Sequence, residues 1–204
     1  MKRILIAGVG NIFHGDDAFG VEVIRALSTR PLPEQVAVED FGIRSYDLAY
    51  ALTDSYDAVI LVDAMSRGRP PGTVSLVEPD TARPSGVSGA ELVGTRSTAS
   101  LSPCDYRDTV ERVPTALAET LNEALDPHAM NLDAVLRMAQ TLGGVNGRLY
   151  LVGCEPAVLE CDGGELGLSR HVASAVPIAV AMIESLVARL LDETQHVTAG
   201  CVPA

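Results

Sequence analysis

Apolar and polar positions alternate so as to divide most of the chain into short apolar runs and helix-spaced segments. Ile4 to Ala7 is a continuous apolar run ending in Gly8-Val9-Gly10-Asn11, and apolar residues return at helical spacing at Phe19, Val23, Ile24 and Leu27. This predicts a strand, a loop and a helix. Pro31-Leu32-Pro33 closes the connection, and Gln35 to Glu39 alternates loosely into a second strand ending at Asp40-Phe41-Gly42. Ser45 to Thr53, with Leu48, Ala49 and Leu52 on one face, predicts a second helix. AVILVDA, residues 58–64, is the most apolar strand pattern of the chain. A turn over Arg67 to Gly72 leads to a fourth strand, Thr73 to Val77, expected to pair antiparallel with its predecessor because the connection is too short for a crossover helix.

From Pro79 to about Leu121 the rhythm fades into Pro, Ser, Thr, Gly, Asp and Arg, which predicts an insertion without secondary structure of its own. Asp126-Pro127 is a capping pair ahead of Leu132, Val135, Leu136 and Ala139 at helical spacing. Leu149 to Gly153 predicts a fifth strand, followed by Cys154-Glu155-Pro156. One long helix is expected from about His171 to Leu191, irregular at Pro177, and then a flexible tail over about 193–204. The sum is an α/β fold with a mixed sheet, organised as one domain over residues 1–204.

Composition narrows the picture. A 47% hydrophobic content with 4% aromatics and no Trp implies a core of Val, Leu, Ile and Ala, the make-up of buried parallel strands covered by helices. The net charge of -12 disfavours nucleic acid and anionic membrane as partners. Val172 to Ile183, the longest apolar run, is broken by Ser174 and Pro177 and is too short to span a bilayer, so a buried helix is expected. Met1-Lys2-Arg3 runs straight into the first strand with no separate signal core, which points to the cytoplasm. Cys104, Cys154, Cys161 and Cys201 form no C-x-x-C pair and read as reduced thiols without assigned function.

The first loop carries the chemistry. Its G-x-G opening suggests a nucleotide loop, but the third glycine position holds Phe13, and Asp16-Asp17 places negative charge where a phosphate would sit. An Asp at a helix start contributes about 0.5–2 kcal/mol as a cap. One acid of the pair is therefore expected to cap and the other to project elsewhere. Asp63 ends the central apolar strand, in the crevice where open α/β sheets place their ligands. His128 lies near a helix N-terminus, whose positive end favours the neutral, metal-coordinating imidazole. His14, His171 and His196 read as ordinary surface or core histidines. If Asp17, Asp63 and His128 converge, they form an incomplete ligand set for zinc, nickel or another divalent first-row ion. No H-E-x-x-H helix and no G-x-S-x-G elbow is present.

At these residues the chain resembles the nickel-iron hydrogenase maturation proteases. GVGNIFHGDDAFG is similar to that family's G-x-G-N-x4-D-[DE]-G-x-G opening, YDAVILVDA to its second acidic motif, DPHAMNLDAVL to its histidine motif, and LYLVGCEP with the last helix to its closing elements. Ala18 stands where the family usually has glycine. The resemblance implies a three-layer α/β/α endopeptidase with a mostly parallel five-stranded sheet, which removes a C-terminal extension from the hydrogenase large-subunit precursor after nickel insertion. It implies metal-contacting and catalytic roles for Asp17, Asp63 and His128, with nickel supplied by the precursor. Asp16 is assigned to structure, and Asp40 with Gly42 to shaping the cleft. A metal- or nucleotide-binding accessory protein without peptidase activity, and a general zinc metallopeptidase, are the alternatives.

Overall fold

The structure, a computed structural model, describes residues 2–79, 111–113, 132–158 and 167–198. Among these, one sheet contains β1 (Ile4–Val9), β2 (Val36–Gly42), β3 (Ala58–Ala64), β4 (Val74–Pro79), β5 (Glu111–Val113) and β6 (Arg148–Cys154). The helices are α1 (Phe19–Leu27), α2 (Ser45–Thr53), α3 (Leu132–Leu142) and α4 (Arg170–Thr198), and a 3-10 turn at Gly15–Ala18 leads into α1.

The strand order is β2-β1-β3-β6-β4-β5. β1 pairs parallel with β2 and β3, β3 pairs parallel with β6, and β4 pairs antiparallel with β6. The mostly parallel, mixed α/β sheet is therefore present, and its five expected strands are joined at the edge by β5, three residues parallel to β4. β5 arises inside the 79–121 stretch expected to have no secondary structure; residues 80–110 and 114–121 lie outside the described residues.

The antiparallel sense of β4 follows the expectation, but its partner is β6 and not β3. Both edges of β3 are already occupied, by β1 and β6. The connection after β3 crosses the end of β6 instead. Met65 N donates to Cys154 O at 2.8 Å, Gly72 N to Glu155 O at 2.8 Å, and Glu155 N to Thr73 O at 2.9 Å.

Strand alternation splits the core between two faces. Ile4, Ile6, Ile60, Val62, Tyr150 and Val152 face α1 and α4, packing on Phe19, Val23, Leu27, Ala179 and Ile183. Leu5, Ala7, Val59, Leu61, Leu149 and Leu151 face α2 and α3, packing on Leu48, Leu52, Val135 and Ala139. This gives three layers, α/β/α. α4 has the length and hydropathy of a membrane span over Arg170–Glu193. Its apolar positions Val172, Ala175, Ala179, Val180, Ile183 and Leu186 are nonetheless buried against the sheet, as expected of a core helix. The helix continues through Pro177 to Thr198, past the start of the expected tail; residues 199–204 lie outside the described residues.

Tyr150 shows a local cost inside this core. Its side chain is fully buried, its hydroxyl has no hydrogen-bond partner among the described residues, and burial pushes its pKa up to about 12. The Arg148 guanidinium lies 5.2 Å from the ring centroid, a contact that phenylalanine retains. Tyr150→Phe is expected to leave stability unchanged or raise it by about 1 kcal/mol, because the unsatisfied hydroxyl is removed. The urea midpoint checks this, and a clear fall would show that the hydroxyl has a partner.

Candidate active site

The topology creates a crevice. From β1 the chain passes to β2 on one side through α1, and from β2 it returns through α2 to β3 on the other side of β1. Opposite turns from the carboxyl ends of adjacent strands leave a gap between β1 and β3, the switch point at which open α/β sheets bind ligands. The loop carrying Asp16 and Asp17 leaves β1 at that point, and Asp63 lies at the matching end of β3.

Glycines allow the loop and α1 to close over the gap. A Cβ on Gly20 would collide with the carbonyl oxygens of Val62 and Val9, and one on Gly8 would lie 2.7 Å from Gly20 O. The N-terminus of α1 is thus wedged against β1 and β3 together. Gly10 takes a φ of +131°, and a Cβ there would collide with Asp17 O. Gly10 N donates to Gly42 O at 3.1 Å, tying the β1 loop to the end of β2, where Gly42 takes a φ of +52°. Ala18, the departure from the family pattern, is buried.

The two adjacent acids separate, as expected, but Asp16 does not cap its own helix. Asp16 is fully buried. Its Oδ2 accepts Ala157 N at 2.8 Å and Val158 N at 3.0 Å, and its Oδ1 accepts Ser169 N at 2.6 Å. It therefore joins the first loop to the chain after β6 and to the residue preceding α4. The cap expectation failed because the partners come from more than 140 positions away, as the 141-residue separation from Ala157 shows, and local spacing does not reveal them.

Asp17 is partly exposed. Its Oδ2 accepts Asn11 N at 2.6 Å, while Asn11 Oδ1 accepts Phe13 N at 3.0 Å, so the asparagine of the opening motif orders both loop and acid. Asp63 is paired in register with Gly153 of β6, and Met65 fills the space that a side chain at 153 would take. Burial, followed by the nearby Asp17 carboxylate, raises the Asp63 pKa well above the usual carboxylate range, against the pull of the Ala64 backbone. Some surface of Asp63 remains accessible at the crevice. The structure thus brings Asp17 and Asp63 into electrostatic contact.

His128 lies outside the described residues. Among the described residues no group of three His, Cys, Asp or Glu side chains is gathered closely enough to hold a metal ion. Asp40 is exposed near the end of β2, where its carbonyl accepts the Arg44 guanidinium. Cys154 is fully buried, its thiol donates to Glu155 O at 3.7 Å, and burial pushes its pKa up to about 12. A thiol held in this way is a poor nucleophile.

Glu155 has a role that sequence reasoning missed. It is nearly buried, and its carboxylate accepts Arg67 N at 2.8 Å, Gly68 N at 3.1 Å and the Ser66 hydroxyl at 3.4 Å. The loop after Asp63 winds around it. The available signal was positional: like Asp63, Glu155 is an acid directly after an apolar strand.

Comparison with known proteins agrees with this fold. The family model described as HycI, hydrogenase maturation protease, matches residues 21–88 and 109–186. The hydrogenase 2 maturation protease of Escherichia coli K12 is 28% identical over 203 residues, 98% of this chain and 96% of that protein. The hydrogenase expression/formation protein HupD of Rhizobium leguminosarum bv. viciae is 27% identical over 179 residues, 87% of this chain and 70% of its own. A crystal structure of a hydrogenase 2 maturation peptidase from Thaumarchaeota archaeon SCGC_AB-539-E09 superposes with a TM-score of 0.56 at 28% identity, covering 92% of this chain and 99% of that one. The hydrogenase-maturating endopeptidase HybD from E. coli shares the fold, with a TM-score of 0.63 at 24% identity over 92% and 93% of the two chains. The matched segments span well over half of the sequence, and the chain belongs to the hydrogenase maturation protease family, a family of peptide-bond hydrolases.

Proposed function

We propose that the chain is the endopeptidase that removes the C-terminal extension of a nickel-iron hydrogenase large-subunit precursor after nickel insertion, acting in the cytoplasm. One observation carries the reading: Asp17, in the loop leaving β1, and Asp63, at the end of β3, stand on the two sides of the switch-point crevice, where burial and then the Asp17 carboxylate raise the Asp63 pKa. Two such groups repel each other until a cation joins them. In this reading the cation is the precursor's own nickel, part of the substrate, and His128 provides a third ligand. Support for His128 comes from the direction of α3. That helix leads into β6 at the amino end of the sheet, so its first residue, Leu132, lies toward the carboxyl edge, and His128 precedes it by four positions. α3 also packs on the face toward which the alternation of β3 directs Asp63. Carboxylate oxygens with an imidazole nitrogen suit nickel, with zinc or another first-row divalent ion as the alternative.

The chemistry follows from positioning. Engagement of the nickel fixes the adjacent scissile peptide at the crevice and turns a diffusional encounter into a local one. A water molecule held by Asp17 or Asp63 loses a proton to the carboxylate, and its oxygen adds to the scissile carbonyl carbon. The carbon–nitrogen bond then breaks, and the proton passes to the departing amine. Intact-mass measurement of nickel-loaded precursor before and after incubation tests the reading. A loss equal to one C-terminal peptide is expected. An unchanged precursor, together with a nucleotide-dependent rise in melting temperature, would favour the accessory protein. Stoichiometric, tightly held zinc in the purified protein would favour a general zinc peptidase.

A further inference from the structure

Large apolar side chains that remain exposed are unevenly distributed. Of the eight among the described residues, six are Ile12, Phe13, Ile43, Tyr46, Tyr50 and Val158, with relative exposures from 37% to 69%. Ile12 and Phe13 are in the loop after β1, Ile43 follows β2, Tyr46 and Tyr50 lie one turn apart on α2, and Val158 follows β6. All three connections leave the carboxyl edge of the sheet. They are also bonded to one another around the acids: Gly10 N donates to Gly42 O, Asn11 N to Asp17 Oδ2, and Val158 N to Asp16 Oδ2. The patch and the crevice therefore share one framework. Burial of core faces does not account for these residues, since α2 already buries Leu48, Ala49 and Leu52 on its other side.

We infer that this apolar rim is the docking surface for the folded body of the precursor, whose C-terminal extension then enters the crevice; the inference rests on the function proposed above. Exposed aromatic and aliphatic side chains grouped beside a polar crevice are the composition of protein–protein contact cores. A protein partner fits better than the other occupants. An anionic bilayer is opposed by the net charge of -12. A second copy of the chain seated on these loops would cover Asp17 and Asp63 and close the route to them.

The test uses the full chain with nickel-loaded precursor, reading both precursor binding by sedimentation and processing kinetics. Tyr46→Ser/Tyr50→Ser alters only the helix face, and Phe13→Ser alters the loop. For each, binding weakens and KM rises by roughly tenfold while kcat and the urea midpoint hold, as loss of contact anchors requires. Leu142→Ser, an exposed apolar position on α3, leaves KM unchanged. Binding and KM of both rim variants within about twofold of the parent would overturn the inference. So would a parent that does not bind precursor, or a parent dimer that the rim variants dissociate without change in KM. A parent that binds precursor through the rim but never shortens it would refute the peptidase reading and leave the docking surface standing.

Discussion

Asp63→Asn is expected to slow single-turnover processing of nickel-loaded precursor by about 10³-fold, within the range for loss of a positioned acid or base. The change is nearly isosteric. It removes the charge at the end of β3 that burial and Asp17 already disfavour. For this reason the same variant should be more stable than the parent. A carboxyl whose folded pKa is raised loses stability as pH rises from the ordinary carboxylate range through the folded value, so the advantage of asparagine appears above that range and fades below it. A residue kept only for the fold would lose stability and activity together. Asp17→Asn should lower the rate comparably and also relieve the repulsion. Retention of the parent rate in both variants, measured by quenched-flow and intact mass, would remove the carboxylate pair from the mechanism.

Gly20→Ala carries the second large expectation, and its sign is opposite to the usual one. Within a helix, alanine is ordinarily favoured over glycine by about 1 kcal/mol. Gly20, however, lies where α1 meets β1 and β3, and a Cβ would be forced onto the carbonyl oxygens of Val62 and Val9 and to within 2.7 Å of Val9 N. These are backbone atoms of the two central strands and have little room to retreat. Forcing α1 off the sheet should cost about 3 kcal/mol or more, far beyond the propensity gain. It would also shift the 3-10 turn holding Asp17. The urea midpoint of Gly20→Ala should fall sharply, with processing impaired even under folding conditions; an unchanged or raised midpoint would show that α1 is not wedged at the switch point.

The sequence made the sheet legible where apolar runs were continuous, because strands buried on both faces leave no other pattern. AVILVDA and LYLVGC are such runs, and both occur as inner strands of the sheet, β3 paired with β1 and β6 paired with β3. β5 is only three residues long and gives no periodic signal. The placement of β4 beside β6 depended on Glu155 holding the crossing loop, a contact between residues 88 and 87 positions apart for Arg67 and Gly68. The same limit applies to the acids. Adjacent Asp16 and Asp17 announced a site and the family resemblance assigned Asp16 to structure, but the distant amides of Ala157, Val158 and Ser169 that hold Asp16 were not legible in the sequence. That commitment leaves Asp17 facing Asp63, a division of labour that spacing within the first loop could not reveal.

The most direct measurement compares nickel-loaded and nickel-free precursor, incubated separately with the parent protein and with the His128→Ala variant and followed by intact mass. The parent should shorten the nickel-loaded precursor and leave the nickel-free form intact, and the variant should shorten neither at a comparable rate. Equal cleavage of both precursor forms by the parent, or parent-like cleavage by His128→Ala, would contradict a site built to recognise the substrate's nickel.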